Sequence, residues 1–269
     1  MRRFSADYLE RTREGMWVDS REALVDLDLS NRTAILDVGC GTGELTRVLA
    51  AESDAEVVGC DVDTALLAVA REHTPVVAGD ACRLPFADDS FDLVVCQALL
   101  INLPDPAAAL QEFARVSSDL VAAIEPNNAA VSVDSTVDRE VDLDARVRDA
   151  YLDGVETDVA LGEQVEALFE TAGIEPLSTH RYIHEKRTEP PYSETALTSA
   201  TRKASGAGLA DSKRELQAGL ADSETSYDEL RAAWREMGRA VIDQMQAETY
   251  ERVERVPFDV TAGRVNDQP

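Results

Sequence analysis

The hydrophobic pattern of the first two thirds of the chain alternates between short apolar runs and longer segments with helical spacing. The apolar runs predict strands at Ala34–Val38, Glu56–Cys60, Val76–Ala78, Phe91–Cys96, Leu120–Glu125 and Ile174–Ile183. The amphipathic segments predict helices at residues 5–29, Glu44–Ala51, Thr64–Arg71, Pro106–Ser117 and Glu163–Ala172. Strands that alternate with helices are typical of βαβ units. The pattern therefore predicts an α/β fold with a mostly parallel sheet flanked by helices.

A different pattern, helical throughout, follows over residues 193–250. Its clearest part begins with Ser226 and Glu229, which have the spacing of a capping box. One helix face then carries the apolar residues Leu230, Trp234, Met237, Val241 and Met245. Such a stripe is more typical of core or dimer packing than of a cofactor contact. The alternating segment Arg255–Val265 predicts a further strand, so the helical region is an insertion before the last strand of the sheet.

These changes of pattern divide the chain into four parts. We expect an N-terminal helical cap at residues 1–30 and a sheet-containing core at residues 31–190. A helical insertion follows at residues 191–252, and residues 253–269 form the last strand and a tail. Because 44% of the 269 residues are hydrophobic, the chain has enough apolar side chains for a core of this size.

Acidic residues outnumber basic residues along the whole chain. Asp and Glu total 52 against 26 Lys and Arg, so the formal net charge is -26, and lysine occurs only at Lys186, Lys203 and Lys213. An acidic surface poor in lysine predicts a halophilic protein, because high salt screens the self-repulsion. An ordinary acidic cytosolic protein is the alternative. A broad nucleic-acid-binding face is not expected, since binding phosphates requires clustered positive charge.

Targeting and cysteine patterns predict a cytoplasmic protein without a metal site. The first residues lack the apolar core of a signal peptide, and no apolar run is long enough to span a membrane. The four cysteines, Cys40, Cys60, Cys82 and Cys96, form no C-x-x-C pair and match no zinc spacing. We therefore expect free thiols, mostly buried.

The turn between the first predicted strand and helix is rich in glycine. Gly39, Gly41 and Gly43 occupy alternate positions, and glycine lets the backbone turn sharply and approach a ligand closely. The spacing G-x-G-x-G differs from the G-x-G-x-x-G of dinucleotide-binding proteins, and the chain has no Walker Gly-Lys-Ser/Thr. The turn by itself does not identify its ligand.

Carboxylates lie at the ends of the first three predicted strands, as Asp37, Asp61 and Asp80. The carboxyl ends of parallel strands share one edge of the sheet, where open α/β folds bind ligands. Asp61 has the position of an acid that binds a ribose diol, whereas Asp37 would repel a pyrophosphate. The three acids favour a ligand with a ribose, an adenine and positive charge but no phosphate. S-adenosylmethionine has all of these features.

Four motifs, in this order, resemble those of the class I S-adenosylmethionine-dependent methyltransferases of the small-molecule type. They are ILDVGCGTGELT, VVGCDVD, VVAGDACRLPFADDSFDLVVCQALL and INLPDPAAALQEFARV. The resemblance covers about residues 1–185 and the last strand. It implies a Rossmann-like sheet of seven strands, S-adenosylmethionine as cofactor, and methyl transfer to a small-molecule acceptor.

The resemblance also implies which residues bind the cofactor. Asp37 and the loop Gly39–Gly43, which includes Cys40 and Gly41, would border the methionine part. Asp61 would bind both ribose hydroxyls, and Val62 would pack on the adenine. Asp80 would accept a hydrogen bond from the adenine amine, with Ala81 beside it.

Further residues would enclose the reacting methyl group. By the same resemblance, Gln97 after the fourth strand would line the methyl-transfer face. The N-terminal helix, with Tyr8, Arg13 and Trp17, would close over the cofactor, and Arg13 would pair with its carboxylate.

A general base is needed only if the acceptor must lose a proton, so no catalytic side chain is obligatory. Weak candidates are Glu125, His184 and Tyr192, with His180 as a fourth, and none has a diagnostic spacing. Tyr192 ends an EPPY segment that resembles the motif of amide- and amine-methylating enzymes. That motif follows the fourth strand, whereas EPPY lies far beyond it, so it predicts a linker.

Two other functions remain open from the sequence. An NAD(P)-dependent oxidoreductase is disfavoured by Asp37 and by the glycine spacing. A regulatory protein that binds S-adenosylmethionine without turnover is compatible with every motif. The helical insertion is expected to form either a lid over the acceptor or the interface of a homodimer.

Overall fold

The computed structural model describes Ser5, Ala6, Leu9 and residues 16–266. The chain forms two compact units, each built from separate segments. The described residues of the first unit lie within the ranges 1–127, 160–184 and 257–269, and those of the second within 128–159 and 185–256. The second unit therefore includes residues 128–159 in addition to the helical region that the sequence pattern indicates.

Strands and helices are numbered in chain order. The strands are β1 (Ala34–Val38), β2 (Glu56–Asp61), β3 (Val76–Ala78), β4 (Phe91–Gln97), β5 (Ser117–Pro126), β6 (Ser132–Ser135), β7 (Ile174–Thr188) and β8 (Arg252–Val265). The helices of the first unit are α1 (Met16–Asp19), α2 (Glu44–Glu52), α3 (Thr64–Ala70), α4 (Pro106–Val116) and α6 (Val165–Thr171). Those of the second are α5 (Asp138–Gly154), α7 (Glu194–Ser205), α8 (Ala207–Ala210), α9 (Lys213–Gly219) and α10 (Tyr227–Gln246).

The first unit has the predicted Rossmann-like α/β sheet. Its strands run in the order β3-β2-β1-β4-β5-β8, and β7 also pairs with β8. Strands β1 to β5 are parallel, whereas β8 is antiparallel to β5. With β6, which pairs with the first residues of β8 in the second unit, the sheet has eight strands rather than seven.

Helices cover both faces of the parallel strands. On one face, α4 and α6 bury Phe113 and Phe169 against apolar side chains of the sheet. On the other face, Leu45 and Leu49 of α2 pack with the residues around Leu24. Burial on both faces explains why these strands appear in the sequence as continuous apolar runs rather than as an alternating pattern.

Side-chain caps fix where several helices begin. The carboxylate of Asp63 accepts the N–H groups of Ala65 and Leu66, and that of Asp105 accepts the N–H of Ala108. Ser226 and Glu229 form the predicted capping box at the start of α10. Because caps act within four residues of the helix start, the sequence predicts them well.

The N-terminal segment differs from the single helix predicted over residues 5–29. Its described part forms the short helix α1 and then 3-10 turns at Arg21–Leu27 and Leu29–Asn31. Asp28 has the left-handed φ of 48°, which interrupts helical hydrogen bonding. Leu24 and Leu27 are buried, so the apolar spacing reports packing against the sheet rather than a continuous helix.

Helix α5 and strand β6 belong to the second unit and were not predicted. Leu143, Val147 and Ala150 lie on one face of α5 at helical spacing, but acidic residues around them mask the pattern. The predicted stripe on α10 is buried in the same core, together with Tyr250. The stripe therefore packs inside the second unit, which we also call the helical unit, and is not a surface for a second copy of the chain.

Glycines allow helices of the second unit to cross closely. A Cβ atom on Gly219 of α9 would lie 1.9 Å from the carbonyl oxygen of Ala150 in α5. A Cβ on Gly238 of α10 would lie 2.3 Å from the backbone nitrogen of Ala204 in α7. Both distances are below van der Waals contact, so these crossings require glycine.

A buried cluster of charges lies at the centre of the second unit. The fully buried carboxylate of Glu140 pairs with Lys203 and Arg252 and accepts a hydrogen bond from the hydroxyl of Tyr250 at 2.8 Å. Burial opposes its charge, but Lys203 and Arg252 outweigh this and hold the pKa of Glu140 below its usual value. Removing one member of such a cluster leaves a buried charge uncompensated.

Candidate functional site

The glycine turn after β1 has a backbone that only glycine adopts easily. Gly39, Gly41 and Gly43 all have positive φ angles, of 74°, 56° and 79°. The N–H groups of Gly39 and Cys40 donate to the carbonyl oxygen of Cys60, at 2.7 and 3.1 Å. The turn is thus fastened to the end of β2, and its backbone crosses the carboxyl edge of the sheet.

Asp61 links the glycine turn to the turn that follows β2. Its Oδ2 accepts the N–H of Gly41 at 2.9 Å, and its Oδ1 accepts the N–H of Asp63 at 2.8 Å. A carboxylate has about four acceptor positions, so both oxygens retain capacity for further donors. Asp61 is half-buried, which leaves this capacity within reach of a ligand.

Asp37 is buried at the end of β1 and accepts a hydrogen bond from the hydroxyl of Thr46 at 2.6 Å. Thr46 lies in the first turn of α2, so strand, glycine turn and helix are joined through one carboxylate. The sequence reasoning did not single out Thr46, although its position in the GELT segment places it one helical turn after Gly43.

The end of β3 presents the third acid to solvent. Asp80 is exposed, and its Oδ1 accepts the N–H of Cys82 at 2.9 Å. Ala81 beside it is buried. Val62 after β2 is 51% exposed, so its side chain is accessible to a ligand. The candidates after β1, β2 and β3 are therefore together at one edge of the sheet.

Gln97 and the N-terminal segment meet at the end of β4. The side-chain nitrogen of Gln97 lies 3.0 Å from the sulfur of Met16, the residue before Trp17. Trp17 is buried and packs edge-on against Phe258, with ring centroids 6.4 Å apart. Tyr8 and Arg13, the other candidates from this segment, lie outside the described residues.

Glu125, a candidate base, is occupied by backbone donors. It is fully buried at the end of β5, and its carboxylate accepts the N–H groups of Leu99, Leu100 and Ile101 at 3.0, 2.9 and 3.4 Å. The thiol of Cys96 lies 3.7 Å from the same carboxylate. Burial raises the pKa of Glu125 to about 7 despite these donors.

The other candidate bases lie on β7 and in the second unit. His184 is buried in β7, and His180 on the same strand pairs with Asp26 at 3.1 Å. Tyr192 belongs to the second unit, where its hydroxyl donates to the carbonyl of Tyr250 at 3.1 Å and accepts the N–H of Tyr250 at 3.0 Å. These contacts favour a structural role for Tyr192.

We expect Tyr192→Phe to destabilise the helical unit without weakening cofactor binding. The change leaves a backbone N–H and carbonyl of Tyr250 without their partner, at a cost of about 1–3 kcal/mol. Chemical unfolding and cofactor titration measure the two effects. Tyr227→Phe is the matched control, because its ring packs against Lys213 and the hydroxyl is not needed for that contact. A stability loss equal to that of Tyr227→Phe would contradict the structural role.

Burial keeps the cysteines near the turn protonated at neutral pH. Burial and the charge of Asp61 raise the pKa of Cys60 to about 12, and burial with the charge of Asp37 raises that of Cys40 further. The thiols are therefore poor nucleophiles. Within the described residues, no group of three or more His, Cys, Asp or Glu side chains has the geometry of a metal site.

Comparison with known proteins identifies the kind of domain. Residues 36–119 match a protein family described as "Methyltransferase domain". All the cofactor candidates from Asp37 to Gln97 lie inside this match, whereas Trp17 and Glu125 lie outside it.

Curated relatives match the same part of the chain. A demethylmenaquinone methyltransferase of Mycobacterium sp. (strain KMS) is 43% identical over 98 residues, which is 36% of this chain and 42% of that protein. One from Lactiplantibacillus plantarum is 36% identical over 107 residues, or 45% of its length. The chain thus aligns with less than half of the length of these relatives.

Solved structures share the fold over a larger part of the chain. A proposed methyltransferase from Bacillus halodurans superposes with a TM-score of 0.54 at 17% identity, covering 92% of this chain and 99% of that one. A proposed methyltransferase in complex with the Trm112 methyltransferase activator of Haloferax volcanii gives the same TM-score and identity, over 97% and 95%. At this identity the likeness shows the fold alone.

Proposed function

We propose that this protein, which carries a class I S-adenosylmethionine-dependent methyltransferase domain, transfers the methyl group of that cofactor to a small-molecule acceptor. One observation carries the proposal: a glycine turn and the acids Asp37, Asp61 and Asp80 occupy one edge of the sheet. Among the described residues, this edge offers hydrogen-bond acceptors and negative charge. It suits a cationic nucleoside rather than a dinucleotide.

The described residues fit S-adenosylmethionine part by part. Asp61, with acceptor capacity on both oxygens, would hold the ribose hydroxyls. Val62 would cover the adenine, and Asp80 would accept from its amine. The glycine turn would border the methionine part, where the charge of Asp37 favours the ammonium and sulfonium groups.

Methyl transfer from this cofactor does not require a particular catalytic side chain. S-adenosylmethionine supplies a methyl group that its sulfonium already activates, so the protein provides alignment and removal of water. Gln97 and the segment around Trp17 would form the face at which acceptor and methyl group meet. A base would be required only for an acceptor that must lose a proton.

The acceptor is proposed to be small and at least partly planar. Phe258 lies opposite Pro126 at the end of β5, stacks on Tyr182 at 5.7 Å and meets Trp17 edge-on. These three rings adjoin the end of β4 through Met16 and Gln97. Aromatic walls suit an aromatic acceptor, and the names of the curated relatives make a demethylated quinone the first compound to test.

Methyl transfer from labelled S-adenosylmethionine tests the function. The protein is incubated in molar potassium chloride, as its charge of -26 recommends, with a panel of quinols, phenols, amines and extract fractions. We expect label in one small-molecule fraction, and none with Asp61→Ala. Label in RNA or protein would overturn the acceptor class. Cofactor binding without transfer to any fraction would favour a regulatory protein, and binding of NAD(P) instead would favour an oxidoreductase.

A further inference from the structure

The carboxylate of Glu125 holds the turn that follows β4. This turn contains Ala98, which has a positive φ of 49°, and the 3-10 residues Leu100–Asn102. Three successive N–H groups, those of Leu99, Leu100 and Ile101, point at the one carboxylate from within 3.4 Å. A fully buried acid that gathers three backbone donors fixes the path of the chain at that point.

The turn after β4, held by Glu125, supports the glycine turn of the candidate cofactor site. A Cβ atom added to Gly39 would lie 2.9 Å from the Cδ1 atom of Leu99, so the side chain of Leu99 packs directly on the backbone of Gly39. Gly39 is the first residue of the turn that Asp61 fastens through Gly41. Glu125, Leu99 and Gly39 thus form a continuous path from β5 to the cofactor edge.

We infer that Glu125 is a positioning residue for cofactor binding, acting through Leu99 on the glycine turn, rather than the general base of the reaction. The inference rests on the proposed function for the identity of the cofactor. It assigns to the ionised carboxylate a task that the neutral acid performs poorly, because a protonated carboxyl offers a donor where three donors already point.

The charges around Glu125 come from three strands. On β4 the thiol of Cys96 faces it, and burial and the charge of Glu125 raise the pKa of Cys96 well above its usual value. On β8 it lies opposite Asp259, which pairs with Arg181 of β7 at 2.8 Å. Burial raises the pKa of Glu125 itself from 4.5 to about 7.

Protonation then affects stability and cofactor binding in opposite directions. Because the pKa of Glu125 is raised in the folded protein, its contribution to stability is present below pH 4.5 and is lost as pH rises through about 7. Cofactor affinity should follow the ionised form, so it should weaken by up to about tenfold from pH 8 to pH 6. If Glu125 only stabilised the fold, stability and cofactor affinity would not change in opposite directions with pH.

Titration with S-adenosylmethionine between pH 6 and pH 8.5 tests this on the wild type and two variants. Glu125→Gln keeps the shape but removes the titration, so we expect affinity about tenfold or more below wild type at pH 8 and no slope with pH. Asp259→Asn is the matched control, since Asp259 is equally buried and faces Glu125 but has no bond to the turn. It should keep the wild-type slope.

Hydrogen exchange without cofactor gives a second readout. The amides of Leu99, Leu100 and Ile101 should lose protection by about tenfold or more in Glu125→Gln and keep it in Asp259→Asn. If Glu125→Gln does not fold, protection of these amides in the wild type should still fall between pH 8 and pH 6.

The outcomes separate this inference from the proposed function. A wild type that binds S-adenosylmethionine with no slope between pH 6 and pH 8, or an Asp259→Asn protein that loses the same protection, would overturn the positioning role. A wild type that binds no S-adenosylmethionine at any pH would overturn the proposed function, while hydrogen exchange would still decide whether Glu125 holds the turn.

Discussion

Asp61→Ala is expected to reduce affinity for S-adenosylmethionine by about 2–4 kcal/mol, or roughly 30- to 1000-fold in Kd. The variant loses the charged acceptor proposed for the ribose hydroxyls. It also releases the N–H of Gly41, which Asp61 holds at 2.9 Å, so the glycine turn loses one of its fastenings. Isothermal titration of the purified protein measures the change directly.

Asp63→Ala is the matched control for this experiment. Asp63 lies two residues further on and caps α3 through Ala65 and Leu66, so its loss costs about 1 kcal/mol of stability. Its backbone N–H still donates to Asp61, and cofactor affinity should change less than about threefold. If both variants bind the cofactor as the wild type does, Asp61 is not part of the site. If both lose binding equally, the effect reports stability and not recognition.

Gly238→Ala is expected to destabilise the helical unit by about 3 kcal/mol or more. The added Cβ would lie 2.3 Å from the backbone nitrogen of Ala204, and backbone cannot rotate away as a side chain can. A shift of α7 would also move Lys203 from the buried carboxylate of Glu140, which leaves that charge partly uncompensated. Together these costs exceed the roughly 1 kcal/mol that alanine gains over glycine within a helix.

Gly208→Ala in the neighbouring helix α8 is the control, because no atom lies within 4 Å of the position of its Cβ. We expect it to be neutral or stabilising by up to about 1 kcal/mol. Thermal unfolding and hydrogen exchange of α7 and α10 peptides compare the two variants. Equal stability of the two would show that the close crossing of α7 and α10 is wrong.

The sequence predicts the elements whose determinants are local. Strands β1 to β5 follow from apolar runs, and the starts of α3, α4 and α10 follow from Asp63, Asp105 and Ser226, each of which acts on residues within one turn. The site edge is also predictable, because parallel strands bring their carboxyl ends together whatever the loops do. The described structure places Asp37, Asp61 and Asp80 there; their roles remain proposals.

The features of the fold and site that the sequence does not predict depend on contacts between residues far apart in the chain. By residue type, Glu125 is a candidate general base. Only the fold shows that its carboxylate accepts N–H groups some 25 residues earlier in the chain. Helix α5 escapes prediction because the partners that make Glu140 acceptable inside a core, Lys203 and Arg252, come from elements far along the chain. A pattern of hydrophobic positions carries no information about such pairings.

The antiparallel strand β8 has a consequence for the order of events during synthesis. Val260 and Ala262 of β8 complete the sheet beside Ile124 and Ala122 of β5, but they emerge from the ribosome roughly 140 residues later. At translation rates of about 5–20 residues per second, one hydrogen-bonding edge of β5 stays unpaired for on the order of 7–28 s. The nascent chain therefore presents an apolar strand edge throughout synthesis of the helical unit, which is the interval in which a chaperone would be needed.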